Sequence, residues 1–213
     1  MPDTSSPDAT ARPAPVVPRH AASLLVLRAG PSQWGRRAEV LMGMRGSKHK
    51  FMPNRLVFPG GRVDPEDHHV TPASEMPELT RRRLLRGADE SLARAIGVAA
   101  ARELEEETRL TLGGPPLLHG FDYLCRAVTP ESSPMRFDAR FLVVEADHVS
   151  GTLAGSGELE NLSWYAVEEA VEIVGQPTRG VLRHLIDLMA MDTALRELRD
   201  AVSTMRERDW ELE

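Results

Sequence analysis

Arg102-Glu103-Leu104-Glu105-Glu106-Glu107-Thr108-Arg109-Leu110 is the stretch on which the reading of this chain turns. It closes a segment, residues 92–108, that is rich in Ala, Leu and Glu and free of Pro, a composition that favours helix. Asp89-Glu90-Ser91 supplies N-cap chemistry ahead of it. On a helix Glu103, Glu106 and Glu107 stand at i, i+3 and i+4 and share one face. Like charges at that spacing repel, and a divalent cation removes the repulsion. Carboxylate oxygens suit Mg²⁺ or Mn²⁺. Arg102 can orient a carboxylate through a charge-assisted bond. Read alone, the same run also describes a solvated acidic helix face, the commoner use of such a pattern, with Leu104 and Leu110 as core contacts.

Upstream lies Phe58-Pro59-Gly60-Gly61, with Asp64, Glu66 and Asp67 close behind. Paired glycines let the backbone turn sharply and bring an amide or carbonyl against a metal or phosphate. Most Pro-Gly-Gly stretches are only turns, so this one gains meaning from the glutamate helix that follows.

Together the two stretches resemble the box of the Nudix hydrolases. That box runs Gly-Gly, five residues, an acid, a spacer of seven, then Arg-Glu-apolar-x-Glu-Glu-x-Gly-apolar. Here Gly61 is followed by five residues and Asp67, and residues 102–110 match the second half. Asp67 replaces the usual Glu, residues 68–101 form a spacer far longer than seven, and Arg109 stands where the family has Gly. An insertion in a surface loop is entropically tolerable, and the loss of glycine puts the backbone after the helix in question. The interrupted box looks like the acyl-CoA diphosphatase branch. So does Arg45-Gly46-Ser47-Lys48-His49-Lys50-Phe51-Met52-Pro53-Asn54, which is similar to a coenzyme A recognition element with Lys50 for Arg and Asn54 for Gly. Asn is the best non-Gly residue if φ is positive there. Residues 128–131, 136–141 and 157–159, with Trp164, also look like that branch.

The resemblance implies a metal-dependent hydrolase that splits a diphosphate bond in a nucleoside diphosphate-linked substrate, coenzyme A or acyl-CoA foremost. Glu103, Glu106, Glu107 and the backbone of Gly61 would hold Mg²⁺ or Mn²⁺. Glu103, Glu106, Arg102 and a later glutamate, Glu158 first and Glu160 second, would carry catalysis. Arg45, Lys50 and Gly60 would contact substrate, the two cations through extra phosphates such as a 3′-phosphate. ADP-ribose, a dinucleoside polyphosphate or a damaged nucleotide remain open as substrates, as does a Nudix-fold module that binds without turnover. Glu158, Arg45 and Lys50 are equally readable as surface charges.

The expected fold is α/β (α+β): a mixed sheet sandwiched between helices, with an inserted segment between glycine turn and helix at about 68–90. Residues 20–213 would form one domain behind a disordered tail, 1–19, rich in Pro, Ala, Ser and Thr. Strands are expected at 22–27, 39–44, 55–58, 118–127, Phe137–Glu145 and ending at Trp164. Helices are expected at 81–86, 167–174, 178–189 and 196–206. Gly97, the weak spot of the glutamate helix, needs tight packing to offset its cost. Arg136, Asp138 and Arg140 on one strand face suggest an ion-pair ladder.

The net charge of −6 over 213 residues gives no footprint for a nucleic-acid polymer, so the expected partner is a small-molecule diphosphate drawn in locally. The single cysteine, Cys125, precludes an internal disulfide framework and fits a reducing compartment. No apolar run of about 18 residues or signal-like segment occurs, so the cytoplasm is expected and a membrane is not. A homodimer is open.

Overall fold

The apolar run from Ala21 to Leu27 is too continuous for a strand with one solvated face, and it is buried on both. Leu24 and Val26 enter one core cluster, while Leu25 and Leu27 enter another. This strand is the middle of the molecule. The computed structural model describes residues 16–30, 37–46, 52–207 and 209–213. The expected tail therefore lies, up to residue 15, outside the described residues, as does Lys50.

In chain order the elements are β1 (Arg19–Gly30), β2 (Arg37–Arg45), β3 (Leu56–Val57), β4 (Gly60–Arg62), α1 (Glu78–Leu84), α2 (Glu90–Thr108), β5 (Leu110–Thr111), β6 (Asp122–Val128), β7 (Phe137–Glu145), β8 (Ser150–Gly151), β9 (Leu159–Ala166), α3 (Val167–Ile173), α4 (Thr178–Ala190), α5 (Thr193–Leu198), β10 (Ser203–Arg206) and β11 (Asp209–Leu212). The main sheet runs β11-β10-β6-β7-β1-β2, with β4 also on β1 and both β3 and β9 on β2. β1 pairs in parallel with β7 and β10 in parallel with β6, and the other pairs of this sheet are antiparallel. It is therefore the expected mixed sheet.

Side-chain alternation sorts the two layers. Leu41, Leu142 and Val144 point with Leu24 towards Ile96, Ala100 and Leu104 of α2. Val40, Met42, Phe141 and Val143 point the other way, towards Val167, Val171, Val181, Leu182 and Leu185 of α3 and α4. Helices thus cover both faces. No helix among the described residues is long and apolar enough to cross a membrane.

Several boundaries and one element type differ from the sequence expectation. The expected helix at 92–108 starts two residues earlier, at Glu90, behind Asp89, whose carboxylate caps the Leu92 amide. Gly97 is packed not on the sheet but on Leu118 and Met76, with room for no larger side chain without movement. β6 begins at Asp122 because residues 117–119 are taken up by Ser74, whose Oγ accepts from the Leu118 and His119 amides. The helix expected at 196–206 is instead the short α5 followed by the β10–β11 hairpin. There, pairing with β6 wins over local propensity. The charged ladder on β7 exists as the Arg140–Asp138 pair within the strand, and Arg126 of β6 joins buried Asp138 from the neighbouring strand.

Candidate metal and active site

Three segments converge at one end of β1. β4 presents Gly60 and Gly61, paired to Ser23 and Ala22. A Cβ on Gly60, whose φ is +156°, would sit 2.5 Å from the Ala22 carbonyl oxygen, so only glycine fits. The Gly60 amide donates to Glu107 Oε2 at 2.8 Å. A Cβ on Gly61 would lie 2.2 Å from Glu103 Oε1, so the second glycine clears the space that this carboxylate fills. The paired glycines thus let the helix carboxylates lie directly on the strand.

The third contributor is Glu158, in the loop before β9. Carboxylate oxygens of Glu103, Glu107 and Glu158 all lie within 4.8 Å of one another. Glu107 is 3% exposed and Glu103 9%, while Glu158 opens to solvent. Glu106 points elsewhere: it is exposed and accepts from Arg102 at 3.1 Å. The helix therefore brings Glu103 and Glu107 into the trio and leaves Glu106 beside it. The backbone of Gly61 lies against Glu103.

Arg102 is held in place by its surroundings. Its Nε and Nη2 donate to the two oxygens of buried Asp67 at 2.9 and 3.0 Å, and Nη2 also donates to the Arg62 carbonyl. Nη1 donates to Glu103 Oε1 at 2.9 Å. Asp67 in turn accepts from the Asp64 amide at 2.8 Å. The role of Asp67 as an anchor for Arg102 is not assigned from sequence, although its place six residues after Gly61 is the available signal. The bond to Asp67 is the main reason the Arg102 pKa is raised.

Burial dominates the electrostatics of the trio. It pushes Glu107 up to about 8, with the Gly60 amide pulling in the opposite direction. Glu103 is also raised by burial, against the nearby Arg102 charge. Two buried carboxylates that resist ionisation, joined by a third from a loop, form a hard-oxygen donor set. That chemistry fits Mg²⁺ or Mn²⁺.

Arg45, at the end of β2, is registered opposite Leu159 and so stands next to Glu158. Its guanidinium reaches the Gly60 carbonyl at 3.5 Å, and its positive charge acts on Glu107. Its buried Nε has no hydrogen-bond partner among the described residues. Asn54 adopts φ +53° and donates its amide to the Arg45 carbonyl, the left-handed turn for which asparagine is suited. Glu160 is exposed on β9, outside the trio.

By sequence the chain matches no protein-family model and no curated protein. Among solved structures it is similar to a NUDIX hydrolase from Alicyclobacillus acidocaldarius, at 23% identity over 87% of this chain and 98% of that one, with a TM-score of 0.65. The chain has the Nudix fold. A MutT NUDIX hydrolase from Burkholderia pseudomallei is similar at 19% identity over 80% of this chain and 99% of that one, TM-score 0.51. So is the NUDIX domain of Shewanella oneidensis NrtR, solved with ADP ribose, at 14% identity over 85% and 96%, TM-score 0.52. In this Nudix-fold chain the glycine turn and the glutamate helix meet although 34 residues, 68–101, separate Asp67 from Arg102. Residues between them fold beside α2, with α1 and the turn at Pro65–His69 packed against it.

Proposed function

We propose that this chain is a Nudix-type diphosphatase that hydrolyses a phosphoanhydride bond in a nucleoside diphosphate-linked small molecule. The observation that carries the reading is the meeting of Glu103, Glu107 and Glu158 within 4.8 Å beside Gly60 and Gly61. These three carboxylates would hold Mg²⁺ or Mn²⁺, with Glu106 beside them and the Gly61 backbone in reach. When bound, such an ion neutralises charge on phosphate oxygens and lowers the pKa of water.

The protein's own groups have distinct tasks in this reading. Arg102, clamped by Asp67, fixes Glu103 and keeps Glu106 on the helix surface. Glu103 and Glu158 are the candidates to take the proton of the attacking water, Glu103 because burial raises its proton affinity. Arg45 supplies positive charge beside the trio, on the side where a substrate phosphate would lie.

Coenzyme A or an acyl-CoA is the proposed substrate, on the similarity of residues 45–61 to the coenzyme A element. The free, buried Cys125 suits a reducing compartment such as the cytoplasm. The test is product analysis with Mg²⁺ or Mn²⁺ against coenzyme A, acyl-CoA, ADP-ribose and a dinucleoside polyphosphate. Cleavage of coenzyme A esters at the diphosphate, abolished in Glu107→Gln, is expected. Cleavage confined to ADP-ribose or nucleotides would replace the substrate, and binding without any product would replace the enzyme by a ligand-binding module.

A further inference from the structure

Glu158 belongs to a loop, yet it must meet two helix carboxylates closely. The loop is anchored at both ends. Downstream, buried Leu159 pairs with Arg45, and a Cβ on Gly43 would lie 2.9 Å from the Leu159 Cβ. Upstream, the anchor is the end of α2 itself. The Ala154 amide donates to the Thr108 carbonyl at 2.9 Å, directly after Glu107. β8 pairs with β5, Leu110 to Gly151 and Thr111 to Ser150, in a small separate ladder.

Thr108 holds this junction together. It is fully buried. Its Oγ1 donates to the Leu104 carbonyl at 2.6 Å and accepts from the Leu110 amide at 3.1 Å. The hydroxyl thereby spans the left-handed turn at Arg109 and sets the direction in which β5 leaves the helix. Gly151 makes the complementary fit: at φ +104°, a Cβ there would lie 2.6 Å from the Arg109 carbonyl oxygen.

We infer that Thr108 is a positioning residue: with the β5–β8 ladder it ties the loop that carries Glu158 to the helix that carries Glu103 and Glu107, so that the three carboxylates move as one unit. The inference rests on the proposed metal-binding reading of the trio for its consequence, and on the hydrogen bonds above for its geometry.

The test compares wild type with Thr108→Val, which keeps shape and loses the hydroxyl, Thr108→Ser, which keeps the hydroxyl, and Gly151→Ala, which strains the ladder from the other side. Amide exchange of residues 151–158 and Mn²⁺ binding by electron paramagnetic resonance are the readouts. In Thr108→Val the loop amides are expected to exchange faster. Its Mn²⁺ Kd should rise about tenfold, the scale of lost support to a metal ligand, and kcat should fall more than KM rises. Thr108→Ser is expected to restore wild-type behaviour, and Gly151→Ala to reproduce the Val phenotype even if Thr108→Val fails to fold. Wild-type exchange and Mn²⁺ affinity in Thr108→Val, or equal losses in the Ser variant, would overturn the inference. If wild type itself binds no Mn²⁺, the proposed function fails, and the exchange comparison still decides whether Thr108 holds the loop.

Discussion

Arg109 ends α2 at φ +63° and ψ 8°, a conformation in which a side chain is strained and glycine is not. The sequence showed a missing glycine at this place, and the backbone has kept the glycine geometry rather than changing it. Arg109→Gly is therefore expected to stabilise the chain by about 1 kcal/mol, roughly 2–4 °C in Tm for a domain of this size, in a thermal melt. A fall in Tm would mean that the Arg109 side chain contributes more than its strain costs. Glu107 offers a second test. Its folded pKa of about 8 lies above the ordinary carboxylate value, so between those values the folded metal-free chain holds a proton that the unfolded chain has lost. Stability of the metal-free protein should therefore fall as pH rises from 6 to 8, and Glu107→Gln should flatten that dependence in pH-resolved melts. Mn²⁺ affinity should rise over the same window, because the ligand is the carboxylate. Glu106, exposed on Arg102, should matter less: Glu106→Gln is expected to lose less kcat than Glu107→Gln in the same assay.

At the scale of elements, α1 and the C-terminal segment depend on one another. Arg83 is 1% exposed and donates to the Arg199 and Arg196 carbonyls at 2.6 and 2.7 Å and to Asp122 at 2.7 Å. Arg82 and Arg86 add surface pairs to Asp200. A guanidinium, with five N–H donors in a fixed fork, can serve carbonyls and a carboxylate from three directions at once. Arg83→Met should leave these acceptors without their donor and destabilise the fold by about 3 kcal/mol, measured by denaturant melting. A change below about 1 kcal/mol would show that water replaces the clamp, as it does at exposed pairs. The same element explains a misreading. Residues 196–206 look amphipathic, but α5 ends at Leu198 and Ser203–Arg206 extends to join β6 and β11. Nothing local announces that the free edge of β6 needs a partner.

For the whole molecule, the sandwich brings together carboxylates that repel, and an ion that binds only the folded form should offset this. At a hundredfold excess over its Kd, Mn²⁺ should add about 2.7 kcal/mol. That corresponds to roughly 5–10 °C in Tm, readable by scanning fluorimetry with chelator as the control. No shift, or an equal shift in a Glu103→Gln/Glu107→Gln double variant, would remove the trio as the metal site. The sequence by itself determined much of this. A short apolar run marks the strand at 22–27, and a Pro-free run behind an Asp cap marks a helix. Glutamates at i and i+4, like Glu103 and Glu107, must share a helical face. All of these follow from short-range periodicity, which acts over a few residues. Only the tertiary structure decided that Glu158 joins the trio while Glu106 turns to Arg102. It also placed Asp67 under Arg102 across the long spacer, and made the C-terminus a hairpin. Those outcomes depend on which surfaces remain free once the sheet has formed, and contacts between distant residues leave no period in the chain.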